Sequence, residues 1–302
     1  MIVNVASIPL RSPFRYPGGK TWLIPWIRAW LKNLKNKPKY LIEPFLGGGI
    51  VSLTVAFEKL ADQVIMIEID PDVAAVWETI LGKDADWLCD RISSFDLTIE
   101  AAKKILTESP TSTKEIAFKT ILKNRVVHGG ILADGSSFIK NGENGKGIKS
   151  RWYPSTLCRR IQDIKLIKNV LTFKKEDGLA YLQEMEVKDD MAIFIDPPYT
   201  VSGKKPGSRL YRHNELNHKL LFETVSRAQG VFLMTYDNNI EVSNLADQYK
   251  FDTELILMKS THHREMHELL ISKNLDWCRK TKPKPLEKPL ITEDLYLQTG
   301  TV

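Results

Sequence analysis

The sequence predicts an α/β protein built on an open, largely parallel sheet, and three stretches predict it. Met191-Ala192-Ile193-Phe194-Ile195 is a short apolar run that stops at Asp196-Pro197-Pro198-Tyr199, as a buried parallel strand does. Tyr40-Leu41-Ile42-Glu43, a turn at Pro44-Phe45-Leu46-Gly47-Gly48-Gly49, a helix over 51–60 and a strand over 64–69 make a strand–turn–helix–strand unit. Val231-Phe232-Leu233-Met234-Thr235-Tyr236 repeats the pattern before Asp237-Asn238-Asn239. Ligands of such sheets gather at the carboxyl ends of the strands, where these turns lie.

The remaining elements follow in order. Phe14-Arg15-Tyr16-Pro17-Gly18-Gly19-Lys20 reads as a turn, and 22–34 as a helix whose Trp22, Trp26 and Trp30 recur every four residues on one packed face. From 72 to about 123 the spacing is helical, with amphipathic segments at 96–106 and 112–124. Six of the chain's 17 glycines then fall within residues 129–147, which excludes a core helix and predicts a long loop or hairpin. A helix over 155–167, a strand over 170–173 and a helix over 179–185 lead to the run at 191–195. Beyond a polar, basic loop (202–213), a helix over 215–228 precedes the strand at 231–236. Residues 253–258 and 268–272 read as late antiparallel strands, and the Lys/Pro-rich 279–302 as a tail.

A chain of 302 residues can bury a sizeable core, as one large domain or a domain with an insertion. Hydrophobic content of 43% and charged content of 26% are those of a soluble globular protein, and a net charge of +6 permits a polyanionic partner. Cys89, Cys158 and Cys278 are scattered and odd in number, which fits neither a disulfide framework nor a zinc ribbon; a reducing cytoplasm is the expected compartment. No stretch has the length of a membrane span.

Four groups of residues carry chemistry. Asp196-Pro197-Pro198-Tyr199 holds a carboxylate and an aromatic ring in a fixed relation, because consecutive prolines stiffen the turn. Gly47, Gly48 and Gly49 let backbone approach a ligand, and Glu68, 21 positions after Gly47, stands where an acid reaches a ribose hydroxyl. A nicotinamide site is disfavoured because Ser52 completes the would-be Gly-x-Gly-x-x-Gly. Gly18-Gly19-Lys20-Thr21 imitates the end of a P-loop, but Phe14 stands where its first glycine is needed and Pro17 removes an amide. Finally, residues 119–175 hold 13 Lys and Arg against three acids, a net +10 on a glycine-rich stretch with Phe138, Trp152 and Tyr153. Concentrated charge of this kind suits a nucleic-acid groove.

Taken in order, Phe14 to Lys20, Glu43 to Gly49, Asn124-Arg125 and Asp196 to Tyr199 resemble the motifs of the Dam-type DNA adenine-N6 methyltransferases, over about 12–274. The resemblance implies a Rossmann-like S-adenosylmethionine-dependent methyltransferase sheet (12–72 and 168–278) with an inserted helical/hairpin DNA-recognition domain (73–167). It implies S-adenosylmethionine as cofactor, held by Tyr16, Lys20, Glu43, Pro44, Phe45, Gly47, Gly49, Glu68, Asp177 and Asp196, with no metal. Asp196, Pro197, Pro198 and Tyr199 would be catalytic. Asn124, Arg125, Phe138, Lys140, Lys146, Lys149 and Arg151 would meet double-stranded DNA. Residues 131–149 depart from the Arg- and Asn-rich hairpin of members that read GATC, so the target sequence stays open. Cytosine-N4 methylation, or a DNA-binding module with a vestigial cofactor fold, are the alternatives. A restriction endonuclease partner, a monomer or weak dimer, and a cytoplasmic prokaryotic or phage setting complete the expectations.

Overall fold

A computed structural model describes residues 7–15, 19–133, 135–142, 145–198, 216–259 and 265–280. Seven strands form one sheet: β1 (Tyr40–Glu43), β2 (Gln63–Ile67), β3 (Leu171–Lys174), β4 (Met191–Ile195), β5 (Val231–Asp237), β6 (Asp252–Lys259) and β7 (Glu265–Ser272). Their spatial order is β3-β2-β1-β4-β5-β7-β6. β1 to β5 are parallel, and β7 enters antiparallel between β5 and β6. The strand order reverses between β1 and β4, the crevice where open α/β sheets hold ligands.

Both faces of the sheet are buried, which is why its central strands read as continuous apolar runs rather than alternating ones. Leu41, Val64, Met66, Ala192, Phe194 and Leu233 pack to one side, while Ile42, Ile67, Ile193, Ile195, Phe232 and Met234 pack to the other. The helices are α1 (Ile24–Lys32), α2 (Ile50–Phe57), α3 (Pro71–Leu81), α4 (Ala85–Ser94), α5 (Ile99–Thr107), α6 (Thr113–Val126), α7 (Pro154–Leu166), α8 (Gly178–Glu184), α9 (His218–Ser226), α10 (Ile240–Gln248) and α11 (Asp276–Lys280). The helical stretch expected over 72–123 is thus four helices. They share the first core with the sheet, since Leu88, Ile92, Ile121 and Ile161 belong to the same cluster as Leu41 and Phe194. Trp22 and Trp30 are buried there and Trp26 packs against it, as their spacing predicts.

The local chemistry explains the starts of α3 and α8. Asp70 accepts from the N–H groups of Asp72 and Val73, with Pro71 at the first helical position. Asp177 likewise accepts from Ala180 at 2.8 Å. The glycine-rich stretch is a 3-10 turn (Gly147–Arg151) and one bridge between Val127 and Phe138 rather than a full hairpin. The expectation that a tail opens at Arg279 is corrected. That residue lies in α11 and pairs with Asp252 and Glu254 of β6 at 2.6 and 3.0 Å. Residues 281–302 and the basic loop at 202–213 lie outside the described residues. Among the described residues no helix is long and apolar enough to cross a membrane.

Candidate active site

The carboxyl ends of β1, β2, β4 and β5 bring the acidic motifs together. After β1 the chain turns sharply: Leu46 N donates to Ile67 O across to β2, and Gly49 N to Leu46 O. Gly49 is left-handed (φ +62°), and a Cβ there would come within 2.9 Å of the Trp77 ring. Trp77 in turn donates from Nε1 to Gly47 O at 3.1 Å, so the turn is seated on α3. Glycine is required because both the φ and the space exclude a side chain.

Two buried glutamates brace this turn. Glu43 Oε2 accepts from the Ser52 N–H at 2.8 Å, satisfying a donor in the first turn of α2. Glu68 accepts from Gly47 N at 2.7 Å through Oε2 and from Asp70 N at 2.9 Å through Oε1. Burial pushes Glu43 up to about 8, with Asp196 and Glu68 adding to the rise and the Ser52 bonds opposing it. Burial pushes Glu68 up to about 7 against its backbone donors. After β3, Gly178 lies against the β1 turn; a Cβ there would stand 2.0 Å from Pro44 O. That approach carries Asp177 to the same edge of the sheet.

Asp196, at the end of β4, is held from both sides. Its Oδ1 accepts from Thr235 Oγ1 on β5 at 2.9 Å and pairs with Lys20 Nζ at 2.9 Å. Lys20 also pairs with Glu268 Oε1 on β7 at 3.2 Å. Lys20 is 4% exposed, Thr235 0% and Glu268 5%, whereas the Asp196 side chain keeps 22% exposure. Burial works against the Lys20 ammonium, but the Asp196 and Glu268 charges outweigh it and hold Lys20 above its ordinary value. Burial raises Asp237 and Tyr236; the Asp196 charge adds to both, while Lys20 opposes the rise at Asp237.

The segment before Lys20 is strapped across the glycine turn. Ser12 Oγ donates to Gly48 O at 2.5 Å, and the Phe14 ring lies 5.9 Å from that of Trp77. Asn124, fully buried, donates to Arg15 O at 2.9 Å and Gly130 O at 2.8 Å and accepts from Arg15 N at 2.9 Å. Arg125 donates to Pro13 O, and Arg160 to Ser12 O at 3.0 Å.

Set against the expected site, these positions divide. Lys20, Glu43, Gly47, Glu68 and Asp196 are brought together, with Pro44 and Phe45 on the turn and Asp177 on the adjoining loop. Pro197 is buried and Pro198 half-buried behind Asp196. Tyr16 and Tyr199 lie outside the described residues. The expectation that Asn124 and Arg125 face DNA is corrected: both are interior, and their side chains supply donors to carbonyls of residues 13–15. Phe138 is likewise packed against the core, beside Val127, instead of projecting toward bases. Lys140, Lys146 and Lys149 are exposed, the last 3.9 Å from Asp96, and Arg151 is half-buried. Thr235 and Glu268 were not anticipated. The signal available for them is a polar residue inside an apolar strand run, Thr235 within 231–236 and Glu268 just before Leu269-Leu270-Ile271.

Residues 16–124 match the family model of D12 class N6 adenine-specific DNA methyltransferases. No curated protein matches the chain. Among solved structures, similarity extends to a protein of Pyrococcus horikoshii described as an RNA methyltransferase (12% identity, 86% of this chain and 84% of that one, TM-score 0.38). It extends also to precorrin-6y C5,15-methyltransferase of Geobacter metallireducens (9% identity, 83% and 86%, TM-score 0.36). A third is a SAM-dependent O-methyltransferase of Thermotoga maritima (11% identity, 82% and 64%, TM-score 0.31).

Proposed function

We propose, from the premise that the chain belongs to the D12 class N6 adenine-specific DNA methyltransferases, that Asp196 presents the adenine amino group for methylation. The Asp196 carboxylate, locked by Thr235 and Lys20 at the mouth of the sheet, carries this reading. It lies beyond the matched stretch 16–124, so its role rests on geometry and on the sequence resemblance rather than on the family model.

S-adenosylmethionine supplies, when bound, an electrophilic methyl group on a positively charged sulfur. The residues at the β1–β4 crevice fit such a cofactor. The glycine turn offers backbone at a place where a Cβ would collide, and Glu68 is aimed by two backbone N–H groups. Each carboxylate oxygen has two lone-pair sites, so Glu68 can accept ribose hydroxyls while keeping those bonds. Asp177 stands beside the crevice for the adenine end, and Glu43, Pro44, Phe45, Gly47, Gly49 and Lys20 line or brace it; Tyr16 is assigned there by resemblance.

An adenine amino nitrogen is a poor nucleophile because its lone pair is delocalised into the ring. Asp196 and the Pro197 carbonyl accept its two hydrogens, favouring a pyramidal nitrogen whose lone pair is aimed at the methyl carbon. The methyl group would come from S-adenosylmethionine, and the proton the amino nitrogen gives up would pass through the Asp196 carboxylate to solvent. Positioning supplies much of the acceleration. The base leaves the duplex to reach this edge, and Tyr199 offers a ring for stacking. The insertion 73–167 serves as the target-recognition segment, with Lys140, Lys146 and Lys149 on phosphates. Asp196→Ala is expected to bind cofactor normally and to lose about a hundredfold or more of methyl transfer. Transfer of labelled methyl to adenine in duplex DNA measures it, and an active Asp196→Ala enzyme would sink the assignment.

A further inference from the structure

We propose that Glu268 is a positioning residue for this reaction: through Lys20 it fixes the Asp196 carboxylate and sets the formal charge of the Lys20–Asp196–Glu268 cluster at one negative. The proposal rests on the reading of Asp196 given above. Its basis is the buried bridge in which one ammonium touches two carboxylates, at 2.9 and 3.2 Å, from strands on opposite sides of β5.

A buried lysine paired with Asp196 alone would cancel the carboxylate that must accept hydrogen bonds from the substrate. With Glu268 as a second partner, the ammonium is shared. Asp196 then keeps net acceptor character while remaining fixed, because Thr235 and Lys20 both hold Oδ1. Two carboxylates against one ammonium leave a single formal negative charge, the complement of one cationic sulfur. Among the described residues Glu43 from β1 and Tyr236 and Asp237 from β5 also face Asp196, and burial raises all three, with Lys20 opposing the rise at Asp237. They are common to every variant compared below, so they do not enter the differences in charge. The placement of Glu268 is costly unless it is used, since a carboxylate on an interior strand is tolerated only when paired.

The test exploits the neutrality of S-adenosylhomocysteine, which lacks the sulfonium charge. Calorimetry on the full-length protein without DNA gives the ratio of affinities for S-adenosylmethionine and S-adenosylhomocysteine. The formal charge of the Lys20–Asp196–Glu268 cluster is −1 in the wild type, zero in Glu268→Gln, −2 in Lys20→Met and −1 again in the double variant. The preference for the cationic cofactor is therefore expected to fall about tenfold in Glu268→Gln, to rise in Lys20→Met, and to return near the wild-type value when both are combined. Single-turnover methylation should fall in Glu268→Gln, and this effect should vanish in the Lys20→Met background because the proposed route from Glu268 to Asp196 runs through Lys20.

Ratios that stay within about twofold across the three variants, or effects of the two substitutions on transfer that simply multiply, overturn the proposal. If Glu268→Gln does not fold, the order of Lys20→Met above the double variant still decides it. Loss of transfer in Asp196→Ala together with unchanged cofactor ratios refutes the role of Glu268 alone. Retained transfer in Asp196→Ala refutes the reading beneath it.

Discussion

Replacing Glu43 by Gln tests whether the end of β1 carries a proton at neutral pH. Glu43 is buried, its Oε2 accepts from Ser52 N at 2.8 Å, and burial moves it from 4.5 to about 8. Between those two values the folded state binds a proton that the unfolded chain has released. Stability must therefore fall as pH rises through this window. The full slope is about 1.4 kcal/mol per pH unit, and from pH 5 to pH 8 Glu43 contributes a loss of roughly 3 to 4 kcal/mol. Glutamine keeps an oxygen for the Ser52 N–H but cannot ionise, so it removes the pH dependence without removing the bond. Urea unfolding of wild type and Glu43→Gln at pH 5, 6, 7 and 8 reads this directly, as midpoints at constant m. The variant should match the wild type near pH 5 and exceed it by about 3 kcal/mol or more at pH 8. Parallel curves for the two proteins would show that Glu43 is ionised in the fold, and the account of the site's charge would have to be rebuilt.

Other outcomes follow from single contacts. Asn124→Ala strands the Arg15 N–H and the carbonyls of Arg15 and Gly130, so urea unfolding should show a loss of about 2 to 3 kcal/mol, with DNA binding reduced only in proportion to unfolding. Gly178→Ala places a methyl 2.0 Å from Pro44 O, a collision with backbone that the far end of no flexible side chain can relieve. It should cost about 2 kcal/mol or more and weaken cofactor binding measured by calorimetry. Lys140→Ala and Lys146→Ala should each reduce the slope of log affinity for duplex DNA against log salt by about 0.9, with stability unchanged, and an unaltered slope would remove them from the interface.

The sheet was legible because burial on both faces turns a strand into an unbroken apolar run, and because Pro and Gly mark where each run stops. The acids at the strand ends were legible for the same reason: Glu43, Glu68 and Asp196 each terminate such a run. What escaped was the chemistry of sequence-distant pairing. Asn124 and Arg125 end a helix just before a basic, glycine-rich stretch, a context that reads as nucleic-acid contact. Their placement is decided instead by carbonyls of residues 13–15, which lie on the buried side of α6 and need donors. Phe138 misled similarly, since an aromatic in a polar loop reads as projecting until Val127 pairs with it. Thr235 and Glu268 carry no local motif. Each is a lone polar residue in a β-rich run, and their importance emerges only when β5 and β7 are set beside β4 and the turn that holds Lys20.

The same arrangement explains how so many acids can share one edge of a sheet. Glu43, Glu68, Asp196 and Asp237 stand at the carboxyl ends of the parallel strands, and Glu268 on antiparallel β7 lies opposite Asp237, with the buried Lys20 among them. Two routes relieve the repulsion. Glu43 and Glu68 take proton affinity from burial, reaching about 8 and about 7, and accept from backbone N–H groups of the glycine turn, the start of α2 and Asp70. Asp196 and Glu268 instead divide the ammonium of Lys20. The two carboxyls that burial raises thus brace the turn, and the two that share Lys20 stand where the methyl transfer is proposed. The sharing also accounts for Lys20 being the first fixed point of the site in the chain. Without it the β4 and β7 carboxylates would lose the ammonium they share across β5, and Asp196 would lose the bridge that, with Thr235, sets the direction of its hydrogen-bond acceptors.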